Sequence, residues 1–196
     1  MSTGLRLGEI LAVQVRDIAE DGLHVRHSWS EQDRLKGTKT GEERTVPLLQ
    51  EVRRALLELA RKNPHSVGPA TFMFFSTELP DRPMDGHPLV EEFKNELIRM
   101  RLNKEERKSP ARLLEASEYW KSRRVVFHSW RHYCAARMAD RLELRKVQSV
   151  TGHRSSAMAE HHADRAAEET FTEVRNVAAE TFGTLLDAPH SDRQVG

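Results

Sequence analysis

The chain has 196 residues, enough for one domain with a sizeable core, and its 31 Lys and Arg against 30 Asp and Glu leave a net charge of only +1. Its 31 % charged and 38 % apolar residues describe a soluble, helix-leaning protein, with no apolar run near the about 20 residues that cross a bilayer and no signal peptide at its start. The single cysteine, Cys134, excludes an intrachain disulfide and fits a reducing compartment; set among apolar helix residues, it reads as a core thiol rather than a nucleophile.

In chain order, apolar spacing from Leu7 to Leu11 is helical, and Asp17 to Gly22 reads as a turn. Gly22 to Ser28 alternates Leu23 and Val25 with His24 and Arg26, which predicts a strand, and a second strand is predicted from Arg44 to Leu48. Between them the polar run Lys36-Gly37-Thr38-Lys39-Thr40-Gly41-Glu42 predicts a hairpin whose tip carries Lys39 towards an anion. Taken alone, such a loop is more often a solvated turn. Val52, Ala55, Leu56, Leu59 and Ala60 repeat at helical spacing before Asn63-Pro64 stops the helix. Phe72 to Phe75 is a short buried run, extended by preference, and 80–86 is a loop.

A helix is predicted over 87–100, with Leu89, Val90, Phe93, Leu97 and Ile98 on its core face. The charged stretch 103–110 should be exposed, and 113–120 should be a short helix leading into the basic Lys121-Ser122-Arg123-Arg124. Helices over 128–142, 145–150 and near 155–163 follow, with a turn at Gly152. The final helix, over 166–185, offers Phe171, Val174, Val177 and Phe182 for burial, and 186–196 reads as a disordered tail. The fold class is therefore α+β, mainly helical with a small antiparallel hairpin near the N-terminus. Residues 1–185 form one domain, with no internal repeat, low-complexity segment or linker.

Charge is unevenly spread. Lys121, Arg123, Arg124, Arg131, Arg137, Arg141, Arg145 and Lys146 crowd one stretch, and Glu160, Asp164, Glu168, Glu169, Glu173 and Glu180 dominate the next. A basic middle and an acidic end suggest a surface facing a polyanion with the acidic part turned away; two ordinary solvated faces would look the same.

The chemistry concentrates between Phe127 and His162. His128 and Arg131 stand three apart, so one helical face brings both to a single anion. A guanidinium holds two phosphate oxygens in its planar fork, and a histidine one turn away adds a donor or a general acid–base group. In an isolated H-x-x-R an ordinary ion pair is the commoner explanation; context decides.

That context is the order Thr3-Gly4-Leu5-Arg6-Leu7-Gly8-Glu9, a Lys-bearing hairpin, His128-Ser129-Trp130-Arg131-His132, then Thr151-Gly152-His153-Arg154. It resembles the catalytic domain of the tyrosine recombinases, the phage-integrase family, from Thr3 to about Asp164. The resemblance implies the fold of that domain and a site where two arginines, a lysine and two histidines surround a scissile DNA phosphate. Arg6 and Arg131 correspond to the arginines, Lys39 to the lysine, and His128 and His153 to the histidines, with Glu9 supporting Arg6. Arg123 and Arg124 are expected to add contacts to DNA. The resemblance further implies double-stranded DNA as partner, a homo-oligomer (a tetramer on DNA), a cytoplasmic, nucleoid-associated protein of a bacterium, phage or mobile element, and neither cofactor nor metal.

Two departures stand out. Family members carry the nucleophilic tyrosine nine positions after the second histidine, and here that position is His162, preceded by Met158-Ala159-Glu160-His161. Tyr119 and Tyr133 lie in other segments. His162 admits three explanations: an enzyme disabled by a single change, a degenerate relative that binds DNA without cutting it, or a histidine that itself attacks phosphorus. The second departure is the N-terminal core-binding domain of the family, which is expected to be missing because only five residues precede Arg6.

Two rivals remain at this point. One is a non-catalytic DNA-binding relative. The other is a metal-dependent hydrolase using His128 and His132 at helical ligand spacing with His153, His161 and His162, although Ser129 stands where zinc peptidases carry glutamate. The last helix packs either on its own domain or on a neighbouring protomer.

Overall fold

The strands all lie within the first fifty residues, and most of the helix follows them, where apolar residues repeat at 3.6-residue spacing. The computed structural model describes residues 3–38, 41, 43–65, 67–152 and 165–182. Helix α1 (Leu7–Leu11) is followed by strands β1 (Leu23–Val25), β2 (His27–Ser30), β3 (Arg34–Gly37) and β4 (Arg44–Val46). β1 pairs antiparallel with β4, setting Leu23 opposite Val46 and Val25 opposite Arg44. β2 pairs antiparallel with β3, setting Trp29 opposite Leu35.

The expected hairpin is thus extended by an additional pair of strands, and its tip is the turn at 31–33. There Ser30 Oγ accepts the Asp33 N–H at 3.1 Å and donates to the Asp33 carboxylate at 3.0 Å. The tip assigned from the Lys36–Glu42 run is corrected accordingly. All four residues of β3 are exposed, so no alternation marked it as a strand, and its order rests on backbone pairing with β2. Residues 38–43 connect β3 to β4; Lys39 falls among them and outside the described residues.

Helix α1 lies against β2 so closely that a Cβ on Gly8 would meet Ser28 Oγ at 2.6 Å and the Trp29 carbonyl at 2.8 Å. Only glycine permits that approach. Behind it Leu11, Ala12, Trp29 and Phe72 form a small apolar cluster, with Phe72 edge-on to Trp29 at 5.4 Å. The run 72–75 is not a strand. It makes isolated bridges, Phe72 to Gln14 and Phe75 to Pro83, because each pairs with a separate loop rather than a neighbouring strand.

Helices α2 (Gln50–Arg61), α3 (Gly86–Arg101), α4 (Pro110–Ser122), α5 (Ser129–Ala139), α6 (Leu144–Thr151) and α7 (Arg165–Phe182) complete the order. Asp85 caps α3 by accepting the His87 N–H at 2.9 Å. Helix α4 begins three residues earlier than its apolar residues indicated, because Pro110 is preorganised for the first helical position. Trp120 Nε1 donates to the Leu97 carbonyl at 2.8 Å, tying α4 to α3.

Helix α7 packs on α5 and α6, with Val174, Ala178 and Phe182 buried in the main core beside Cys134, Met138, Val147 and Val150. Two acids on its exposed face meet the basic stretch. Glu180 pairs with Arg141 at 2.7 Å and Glu173 pairs with Lys146, so these two acids neutralise part of the basic stretch instead of facing away from it. Burial of one valine or phenylalanine contributes about 1.5–3 kcal/mol, against roughly 0–1 kcal/mol for an exposed ion pair, so the apolar stripe decides where α7 sits. The helix expected near 155–163 and the tail over 186–196 lie outside the described residues. Among the described residues no helix is long and apolar enough to cross a membrane.

Candidate active site

Arg6 stands just before α1 in extended conformation, and Glu9 occupies the first turn of that helix. The Glu9 carboxylate is buried, with 2 % of the residue exposed. It accepts from the Arg6 backbone N–H at 2.9 Å, Arg6 Nη1 at 2.8 Å, Arg44 Nη2 at 2.8 Å and Arg44 Nη1 at 3.2 Å. Four donors fill the acceptor positions of one carboxylate. Burial by itself would raise the Glu9 pKa; the hydrogen bonds and charge of Arg44, with the bonds from Arg6, outweigh it and hold the carboxyl below its ordinary value.

The two arginines also reach α6. Arg44 Nε donates to the Val150 carbonyl at 2.9 Å and Arg6 Nη2 to the Gly152 carbonyl at 3.2 Å. Carbonyls at the end of a helix have no partner within it, and these guanidiniums supply one. Gly152 ends α6 in the left-handed region at φ +67°, where a Cβ would come within 3.1 Å of Arg44 Cζ. The N-terminal segment and β4 therefore meet at one carboxylate, and their two guanidiniums tie it to the end of α6.

Arg131 lies in the first turn of α5, buried to 2 % exposure, and donates from Nη1 to the Gly4 carbonyl at 2.6 Å. Burial, then the charge of Arg6 and to a lesser extent Arg44, push its pKa down to about 10 against the pull of Glu9. The guanidinium remains charged at neutrality, close enough to Arg6 and Arg44 to feel both. Three guanidiniums against one carboxylate leave the cluster positive, and the α5 N-terminus adds the favourable end of a helix dipole.

His128 immediately precedes α5 and is exposed. Partial burial, followed by the neighbouring His132, Arg131 and Arg6, lowers its pKa below the ordinary value of 6.5, so the imidazole is neutral at pH 7 and carries one donor and one acceptor. Its ring meets that of His132 edge to face at 4.9 Å. Among the described residues no group of three His, Cys, Asp or Glu side chains stands where it could hold a metal ion; His153, His161 and His162 lie outside them.

Of the residues expected at the site, Arg6, Glu9, His128 and Arg131 are brought together, while Lys39, His153 and His162 lie outside the described residues. Arg123 and Arg124 are exposed beyond α4, outside this cluster. Tyr119 is flanked by Arg101 and Arg123, and Tyr133, half exposed, lies against Trp130 at 5.3 Å. Cys134 is buried in the core, and burial pushes its thiol up to about 11. A cavity of about 200 Å³ beside Arg44 is lined by His24, Arg26, Glu43, Arg44 and Thr45; Arg6, His128 and Arg131 do not line it.

Arg44 is the residue of this cluster that sequence reasoning missed. Its signal was its phase: Arg44 and Val46 share one face of β4, and Val46 is fully buried, so a cation at that position implies a buried acidic partner.

The model of the phage integrase family matches residues 1–169. No curated protein and no solved structure matches the chain.

Proposed function

The chain belongs to the phage integrase family, a family of site-specific DNA recombination, and from that premise we propose that it is the catalytic domain of a tyrosine recombinase, with the fold of that domain. In this reading the domain holds a scissile phosphodiester of duplex DNA at the Arg6–Arg131–His128 cluster. The observation that carries the reading is the buried Glu9 clamp, which fixes Arg6 and Arg44 within electrostatic reach of Arg131 and leaves the cluster with net positive charge. In-line attack at phosphorus spreads negative charge over the non-bridging oxygens, and two preorganised guanidiniums stabilise it where it develops.

Neutral His128 donates a hydrogen bond to one of those oxygens. Lys39 protonates the departing 5′ oxygen as its bond to phosphorus breaks, and His153 completes the donors. With tyrosine at position 162 the phenolic oxygen would form the new bond and carry the DNA 3′ end as a phosphotyrosyl ester. His162 blocks that route. It favours a second reading, in which the protein binds DNA at the same residues without cutting it.

The experiment is a gain of chemistry. A His162→Tyr variant is incubated with a library of nicked duplexes of randomised sequence and resolved under denaturing conditions. We expect a covalent protein–DNA adduct from the variant and none from the native chain. Duplex binding without an adduct would replace the catalytic reading with the binding one, and absence of binding by both proteins would remove both.

A further inference from the structure

Helices α3 and α4 and the segment between them carry many exposed cations, and most are neutralised locally. Lys94 pairs with Glu91 at 2.6 Å, Arg99 with Glu96 at 2.7 Å, Lys108 with Glu105 at 2.9 Å, Arg112 with Glu115 at 2.7 Å and Lys121 with Glu118 at 3.2 Å. Arg101 and Arg123 differ. Their guanidinium carbons lie 3.3 and 3.6 Å from the Tyr119 ring centroid, distances that require them to occupy opposite faces of the ring. Both arginines are exposed, and among the described residues neither pairs with a carboxylate.

A cation stacked on an aromatic face keeps its full charge, because the ring supplies a quadrupole and no counter-charge. Stacking uses the guanidinium face and leaves the N–H edge available: Arg123 spends one N–H, at Nη1, on the Tyr119 carbonyl at 3.5 Å and keeps the others. Two such groups across one ring repel each other, and a packing role alone would be met by one. An anion with two separated charges relieves that repulsion. The ordering entropy of both side chains is already spent in the stack, so binding loses less.

The position fits the same partner as the site. Arg123 ends α4, exposed Arg124 follows, and the link continues to His128, with Phe127 held edge-on against Phe93 of α3 at 5.4 Å. We propose that the Arg101–Tyr119–Arg123 stack is a second contact surface for duplex DNA, each guanidinium taking a backbone phosphate to the side of the one held at Arg6 and Arg131. The proposal rests on the reading of the chain as a DNA-binding recombinase domain. It adds Arg101 and Tyr119 to that reading and explains why the charged α3–α4 segment leaves these two arginines without acidic partners.

The test uses the full chain, a fluorescein-labelled duplex of arbitrary sequence and a salt titration. The double variant Arg101→Gln/Arg123→Gln should flatten the slope of log affinity against log salt by about 1.8, two phosphate contacts' worth. Tyr119→Phe, which keeps the ring, should bind as the native chain does, and Tyr119→Leu should bind more weakly. A native slope in the double variant, with a lowered melting temperature, would overturn the proposal and leave the stack as a joint between α3 and α4. If Arg6→Gln flattens the slope while the double variant does not, the DNA-binding reading stands and only the stack is overturned. Failure of the native chain to bind the duplex overturns both.

Discussion

Arg44 and Glu9, 35 residues apart in sequence, share two hydrogen bonds of 2.8 and 3.2 Å with almost no solvent around the carboxylate. The pair couples β4 to α1, and through Arg44 Nε to the end of α6. A buried ion pair of this kind is not strongly stabilising in itself, because desolvation offsets much of the attraction. Removing one partner is a different matter, since it strands the other charge.

Glu9→Gln therefore lowers stability at neutral pH by on the order of 3 kcal/mol, read as a shift in the urea midpoint. The pH dependence follows from the sign of the shift. Glu9 titrates lower in the folded protein than its ordinary 4.5, so its contribution is complete above that value and is lost as pH falls through the folded one. The stability difference between native chain and variant should be constant above about pH 5 and shrink below pH 4. A difference that stays constant on acidification would remove Glu9 from the role assigned to it.

Gly152→Ala tests the end of α6. An alanine at φ +67° carries roughly 1–2 kcal/mol of backbone strain. Its Cβ also pushes against the Arg44 guanidinium at 3.1 Å. We expect a lower melting temperature together with weaker duplex binding, because the tie that orders Arg6 and Arg44 is disturbed. Gly152→Ala that loses stability but binds duplex as the native chain does would separate the clamp from the binding site.

The two arginines make separable predictions. Arg6→Gln and Arg131→Gln, each verified as folded by circular dichroism, should each reduce the salt slope of duplex binding by about 0.9. Arg131→Gln should also cost more stability than Arg6→Gln, because Arg131 is 2 % exposed and anchors Gly4, whereas the Arg6 side chain is 26 % exposed. An unchanged slope in either variant takes that residue off the phosphate.

Local spacing carried much of this molecule. Arg6 with Glu9 three residues on, His128 with Arg131 three residues on, and the apolar stripes of α2, α3 and α7 are relations within one or two helical turns, which the covalent chain imposes wherever the segment is placed. Relations across the chain were decided only by packing. Arg44 became the second guanidinium on Glu9 because β4 pairs with β1 in one register and turns that side chain inward. Arg101 met Tyr119 because α4 folds back on α3, and the acidic face of α7 met Arg141 and Lys146 because its apolar face had one place to bury. Spacing along a helix is written in residue order; which distant charges end up adjacent depends on the burial of apolar surface, a property of the whole fold.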